Sequence, residues 1–472
     1  MLQNFKIQAT LALMISIILF FGAGAQMALA QESGRVYIDV GRAQVKRSLI
    51  ALPPLQFSGS NASNQENIQL GQELFSVISN NLTVSNLFTF IKPEAFLENP
   101  AEVGLRPAPG DPKGFNFQNW QTIGTEFLIR AGYRVTRNEV SLEAYVYFVP
   151  QGRLIFGKTY TGPRTAARRI AHTFSDDILL NLTGRRGMFN TRLVLSTDRE
   201  AGRGQKEIWV MDWDGANAEQ ITDHKSIAIS PTWSPDGKKV AYTAYAYHTQ
   251  ARTRNANLFL RELDTGRRLL LSYRRGINSG ANFFPNGQHI LLTLSQGGRP
   301  DIFRITADGK SIQPITRGPA GAMNVEPAVS PDGRQIAFSS DRSGRPMIYV
   351  MNVDGSNVRR ITHAGRYNSS PSWSPDGRQI AFAALDKGSF DIFVINTDGT
   401  GLKRLTDAKR RNGTSAHNEN PSFSPCGRHI VFVSDRDGNR QLYIVSPDGS
   451  NERRLTFDSH NYYQPKWSPF LN

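Results

Sequence analysis

From about Phe189 onward, apolar residues come in short strand-like runs broken by turn residues, and the pattern recurs at a fixed spacing. One phrase marks each recurrence: PTWSPDG at 231–237, ANFFPNG at 281–287, EPAVSPDG at 326–333, SPSWSPDG at 370–377, NPSFSPCG at 420–427 and PKWSPF at 465–470. Its second proline falls at 235, 285, 331, 375, 425 and 469, a period of 44 to 50 residues. Each unit reads as an inner strand ending in Ser-Pro, a tight Asp-Gly turn, and an apolar strand such as Ile336–Ser339. A third strand such as Ile348–Met351, a second Asp-Gly turn and an outer strand ending in Ile/Leu-Thr follow. Asp-Gly suits two-residue hairpin turns in which both residues take positive φ. Third strands fall at Ile208, Leu258, Ile302, Ile348, Ile392 and Leu442, which predicts a six-bladed β-propeller. The phase predicts its closure. Leu193–Ser196 resembles a second strand with no inner strand before it, and Gln464–Pro469 an inner strand with no strand after it. The last inner strand is therefore expected to complete the blade begun by residues 192–222 and remove an exposed edge.

Ahead of the repeats the periodicity is mixed. Alternation predicts strands at Val36–Val40 and Ser48–Leu52, the second stopped by Pro53-Pro54. Leu70, Leu74, Val77 and Ile78 at helical spacing predict a helix near Ile68–Asn80. Glu126–Val135, Val140–Val149 and Leu154–Tyr160 read as a strand meander, and Thr165–Leu182 as a helix stopped by Gly184. The Pro- and Gly-rich stretch Arg106–Gly114 reads as a loop. The expected fold class is α+β and multi-domain: a mixed α/β domain over 31–186 and a six-bladed propeller over 187–472. Residues 1–30 stand apart. Lys6, an apolar stretch from Leu11 to Phe21, and Ala28-Leu29-Ala30 predict a secretory signal cleaved between Ala30 and Gln31. No later stretch approaches the roughly 20 apolar residues of a spanning helix, so a soluble exported protein is expected.

Losing Lys6 with the signal lowers the formal charge from +15 to +14. Such a surface suits anionic envelope or acidic partners, and export argues against nucleic acid. The single Cys426 precludes an internal disulfide, which fits the bacterial periplasm for an exported chain of this size. No G-x-S-x-G elbow, H-E-x-x-H or P-loop phrase occurs, so a binding protein without cofactor is expected rather than an enzyme. Two other readings stay open: a propeller lactonase or lyase with a metal hidden in its channel, and a glycan-binding sensor.

Topology locates a candidate mouth. In a four-stranded blade the loop into the inner strand shares one face with the loop between strands two and three. Residues just before each inner strand, Ser230, Gly280, Glu326, Ser370, Asn420 and Gln464, are expected to ring the channel there. His224, His363, His417, His460 and His248 fall in loops of that face, whole blades apart and without a close ligand pair for a metal. Tyr367, Tyr462 and Tyr463 are aromatic contact candidates. Lys409-Arg410-Arg411 is a basic one, and Asp198-Arg199, Asp341-Arg342 and Asp435-Arg436 read as ion pairs fixing turns.

The domain order, the six repeats and the phrase Lys-Trp-Ser-Pro-Phe-Leu at 466–471 together resemble the TolB family, the periplasmic component of the Tol–Pal envelope system. Arg35-Val36-Tyr37-Ile38-Asp39, Ile50-Ala51-Leu52-Pro53-Pro54, Leu182-Thr183-Gly184 and Phe189-Asn190-Thr191-Arg192 add to the resemblance. It implies a monomeric periplasmic adaptor that meets the membranes only through partners. In the family the lipoprotein Pal binds at the channel mouth, with an acidic contact whose counterpart is Glu326. The inner-membrane protein TolA binds the mature N-terminal segment, here Glu32, Arg35, Val36, Tyr37, Ile38 and Asp39. Some colicins use the same mouth. The resemblance further implies a role in outer-membrane integrity and in invagination at cell division. A histidine common in the family is replaced here by Ile277.

Overall fold

A ladder of antiparallel pairs dominates the computed structural model, which describes residues 38, 46–60, 63–248, 253–296, 298–316, 318–319 and 321–471. The predicted signal (1–30) and most of the strand expected at Val36–Val40 lie outside these residues. The chain divides into two compact units, one ending at Arg185 and the other beginning at Arg186.

In the first unit, Ser48–Ala51 runs parallel to both Phe88–Phe90 and Phe127–Val135. The latter continues antiparallel into Glu139–Phe148 and Arg153–Pro163, as the alternation requires. Helices Gln65–Val84 and Ala167–Thr183 bury Leu74, Val77, Ile78 and Leu82 and Ile170, Phe174, Ile178 and Leu182. The first helix is capped by Asn64, whose side chain accepts from the amides of Glu66 and Asn67. It runs four residues past the expected end. Asn81, just past that expected end, is fully buried and donates through Nδ2 to Ser175 Oγ at 3.0 Å and faces His172 Nδ1 at 3.0 Å. The second helix stops at Gly184 in the left-handed region (φ 69°). Sequence missed the short helix Phe117–Thr122, which buries Trp120 with its indole N–H donated to Glu98 Oε1 at 2.6 Å.

The second unit is a six-bladed propeller, six four-stranded antiparallel sheets. The inner strands are Ala228–Trp233, Asn278–Phe283, Asn324–Val329, Asn368–Trp373, Asn418–Phe423 and Tyr462–Trp467. The last pairs with Arg192–Thr197, so the C-terminal strand closes the ring as the phase predicts. Closure is reinforced from the side chains: Trp467 donates its indole N–H to Thr191 Oγ1 at 2.7 Å and its amide to Ser422 Oγ at 3.1 Å. Trp233 and Trp373 likewise donate to carbonyls of neighbouring inner strands, Lys466 O at 3.1 Å and Ala328 O at 2.9 Å. The Thr that follows five of the six outer strands also has a mechanical reason. Thr222, Thr316, Thr362, Thr406 and Thr456 accept the third-strand amides of Ile208, Ile302, Ile348, Ile392 and Leu442 at 2.8–3.0 Å, where the outer strand leaves the ladder.

The Asp-Gly turns differ from expectation. Only the glycine takes positive φ (Gly237 68°, Gly333 71°, Gly377 70°); the aspartates do not. Ser-Pro-Asp-Gly closes with a hydrogen bond donated by the Gly amide to the Ser carbonyl at 2.9 Å, a type I turn followed by a left-handed residue. Proline before Asp fixes φ near −65°, which excludes the two-residue mirror turn. The Asp is held by its serine, as in Ser330 Oγ donating to Asp332 Oδ1 at 2.5 Å.

Candidate functional site

Each inner strand carries one β-bulge, and the six bulges converge. The register slips between Ile229 and Thr232, Ser279 and Asn282, Val325 and Ala328, Ser369 and Ser372, Glu419 and Ser422, and Tyr463 and Lys466. The residue at each slip takes positive φ: Ser230 52°, Gly280 65°, Glu326 55°, Ser370 54°, Asn420 57° and Gln464 49°. These are the six residues that topology selected. They stand third within each inner strand rather than ahead of it, and all six line one cavity. A non-glycine side chain in this region costs roughly 1–2 kcal/mol, so five of the six positions are held by their surroundings. Five are followed by proline (Pro231, Pro327, Pro371, Pro421, Pro465), which has no N–H to orphan at the bulge. Gly280 is followed by Ala281 instead.

The ring is stitched by its own polar groups. The Ser370 amide donates to Glu326 Oε2 at 2.6 Å and its hydroxyl to Oε1 at 3.3 Å. Asn420 Nδ2 donates to Ser370 Oγ at 3.2 Å, and the Ser230 amide to Gln464 Oε1 at 2.7 Å. Sequence reasoning missed Lys466, which lines the same cavity. Burial holds its ammonium below the usual lysine range, the Glu326 carboxylate opposing that shift. The signal was available: Lys466 sits where the other inner strands carry Thr232, Asn282, Ala328, Ser372 and Ser422. Glu326 and Lys466 are the cavity's charged side chains among the lining residues.

Around the mouth, the remaining candidates separate. His363 and Tyr367 are exposed, and Tyr367 stacks edge-on against Phe390 at 5.9 Å. Burial raises the Tyr367 phenol pKa, with Glu326 and Asp341 adding to it. His417 is half-buried and its Nδ1 accepts the Phe390 amide at 3.3 Å. Tyr462 is a correction: it is 1 % exposed, its hydroxyl donated to Asp458 at 2.5 Å, and it is no contact residue. Tyr463 takes the outward position, its ring 3.6 Å from Lys206 Nζ. His224 lies in the loop into Ala228–Trp233, where it packs on Phe259 and faces the Tyr242 hydroxyl at 3.0 Å. His248 ends a strand instead of lying in a loop. Arg410 is tied to Asp435 at 2.5 Å. The Asp-Arg pairs do not bridge each other. Asp341 and Asp435 accept the amides of Met323 and His417, while Arg342 and Arg436 lie over aromatic rings. Of the N-terminal set only Ile38 is described: it is 8 % exposed and donates its amide to Leu182 O at 2.7 Å. Ala30, Gln31, Glu32, Arg35, Val36, Tyr37 and Asp39 lie outside the described residues.

Family models match both units. Residues 36–154 match the TolB amino-terminal domain and residues 180–471 the TolB beta propeller domain. Tol-Pal system protein TolB of Desulfosudis oleivorans is 32% identical over 281 residues, 60% of each chain. The corresponding protein of Geobacter metallireducens is 39% identical over 195 residues, 41% of this chain and 42% of that one. The chain thus spans 60% or less of the length of these relatives. The crystal structure of TolB from Acinetobacter baumannii shares the fold, with a TM-score of 0.73 at 24% identity over 92% of this chain and all of that one. The propeller match alone covers more than half of the sequence, and the chain belongs to the TolB family.

Proposed function

We propose that this protein is a periplasmic adaptor of the Tol–Pal envelope system that binds the lipoprotein Pal at the propeller mouth and TolA through its mature N-terminal segment. One observation carries the reading: six repeat-equivalent residues, five of them non-glycine in a left-handed conformation, converge on one cavity holding Glu326 and Lys466. Strain of this kind persists where the surroundings over-determine it, and it clusters at binding sites. Exposed Tyr367 and His363 near that cavity supply rim contacts, and colicins that use the family's mouth would compete there. The role is binding, in support of outer-membrane integrity and of invagination at division. No described helix is long and apolar enough to cross a membrane. Envelope association then runs through the partners, with the protein itself a monomer and no nucleic acid bound. Ile38, whose amide donates to Leu182 O, makes a contact with which TolA would compete.

Calorimetry with purified Pal tests the mouth. Glu326→Gln keeps an acceptor for the Ser370 amide but removes the charge, so affinity should fall about tenfold, 1.4 kcal/mol, with unchanged melting. Deleting residues 31–41 should abolish TolA capture and spare Pal. Unaltered Pal affinity in the first variant, or TolA capture surviving the deletion, would refute the corresponding half of the proposal. A stoichiometric metal in the purified protein would instead favour the propeller-enzyme reading.

A further inference from the structure

Between the blade of Ala228–Trp233 and the blade of Arg192–Thr197 lies a second cleft, of about 480 Å³, away from the mouth residues. Its walls include Arg261 and Arg268, which are directly opposed across adjacent strands. Like charges in that arrangement destabilise a sheet. Neither guanidinium makes an ion pair among the described residues; Arg268 lies 5.5 Å from the centre of the Phe259 ring. The register makes Arg261 stand out further. It pairs with Val240 in the position where the other five blades place Ile305, Met351, Ile395, Val445 and Met211, every one of them 2 % exposed or less. A charge has entered an otherwise apolar layer, and among the described residues no carboxylate forms an ion pair with it.

The segment after Glu219–Gln220 contributes Asp223, which makes no side-chain hydrogen bond among the described residues, while Tyr242 stands on the strand paired with that of Arg261. Tyr242 faces His224 Nε2 at 3.0 Å. Burial, aided by Arg268, lowers His224 to about 4, and burial pushes Tyr242 up to about 12. Both are therefore uncharged at neutral pH, and the cleft's charge rests on two guanidiniums and one carboxylate.

We infer that this cleft binds a phosphoryl oxyanion that also carries a hydroxyl: the paired guanidiniums take the anionic oxygens and Asp223 accepts the hydroxyl. Guanidinium forks match phosphate oxygens bidentately, which is why arginine rather than lysine suits the site. Inorganic monohydrogen phosphate and a hydroxylated phosphodiester such as a phosphatidylglycerol headgroup both meet this description. Sulfate does not, because at neutral pH it has no proton to give Asp223.

The test titrates the full mature chain with inorganic phosphate, with sulfate, and with phosphatidylcholine vesicles containing or lacking phosphatidylglycerol. Arg261→Ile, which introduces the residue found at the equivalent positions Ile305 and Ile395 of two other blades, is run alongside. Expected is saturable binding of phosphate or of the glycerol-headgroup vesicles, at least tenfold tighter than sulfate and at least tenfold weaker in Arg261→Ile. The variant should melt no lower than the parent in phosphate-free buffer, which separates lost binding from lost fold. A response to phosphate alone assigns a free ligand, and a response to the vesicles alone assigns a lipid headgroup. Absence of both responses, equal binding by the variant, or equal affinity for sulfate would overturn the site.

Discussion

Asp391 is only 1 % exposed, yet its carboxylate is fully used. It accepts from Arg404 Nη2 at 2.5 Å, Thr406 Oγ1 at 2.8 Å and Asn418 Nδ2 at 2.9 Å, joining the third and outer strands of one blade to the inner strand of the next. Removing one partner of a buried charged network costs about 3–5 kcal/mol; with Arg404 partly in solvent, the lower end applies. Asp391→Ala should therefore lower stability by about 3 kcal/mol, measured by denaturant unfolding, and a loss below about 1 kcal/mol would contradict the assignment. Arg359, Arg360, Arg404 and Arg454 stand on outer strands, where the sequence gives their charge. Their partners were not legible, because Asp391 and Arg404 are brought together by strand pairing and not by neighbouring positions. Burial was equally hidden in Tyr462-Tyr463: adjacent strand residues face opposite ways, and the pattern does not say which way is in.

At the scale of elements, the Ser-Pro-Asp-Gly phrase is a closed hydrogen-bonded unit, and its acid sensitivity follows. The Ser330 hydroxyl, then the Arg334 amide, holds the Asp332 carboxyl below its usual range. Ser356 and Thr400 do the same for Asp354 and Asp398 in the second turns. A folded pKa below the unfolded one means that the unfolded chain binds more protons in acid. The stabilisation is then complete above the unfolded value of about 3.9 and is lost as pH falls through the folded values. Asp332→Asn combined with Asp354→Asn and Asp398→Asn should lower the melting temperature at pH 7, and the gap from the parent should shrink as pH drops from about 5 toward 3. A gap that stays constant with pH would refute this origin. The phrase revealed strand number and order because its period is a property of sequence. It did not reveal the bulge, where a φ change at one residue re-aims the backbone while leaving the apolar alternation intact. Proline after five of the six ring residues was the available clue.

For the whole molecule, closure decides stability. Leu193, Val194 and Leu195 are fully buried beneath a strand supplied from the far end of the sequence, and Trp467 and Tyr462 come with it. Truncation before Tyr462 removes both aromatics, each costing about 3–5 kcal/mol if cut to alanine, and opens a sheet edge. The propeller should lose its cooperative calorimetric transition altogether, whereas an unchanged transition would contradict ring closure as a stability device. The phase of the repeats made this legible without a structure. The first unit was less so, because its short parallel strands and the helix Phe117–Thr122 carry no long period. The central claim is that the partner Pal sits at the mouth, and photocrosslinking tests it most directly. A benzophenone side chain at Tyr367, on the loop into an inner strand, should capture Pal, while the same group at exposed Leu402, beside an Asp-Gly turn, should not. Capture from position 402 and none from 367 would contradict the account.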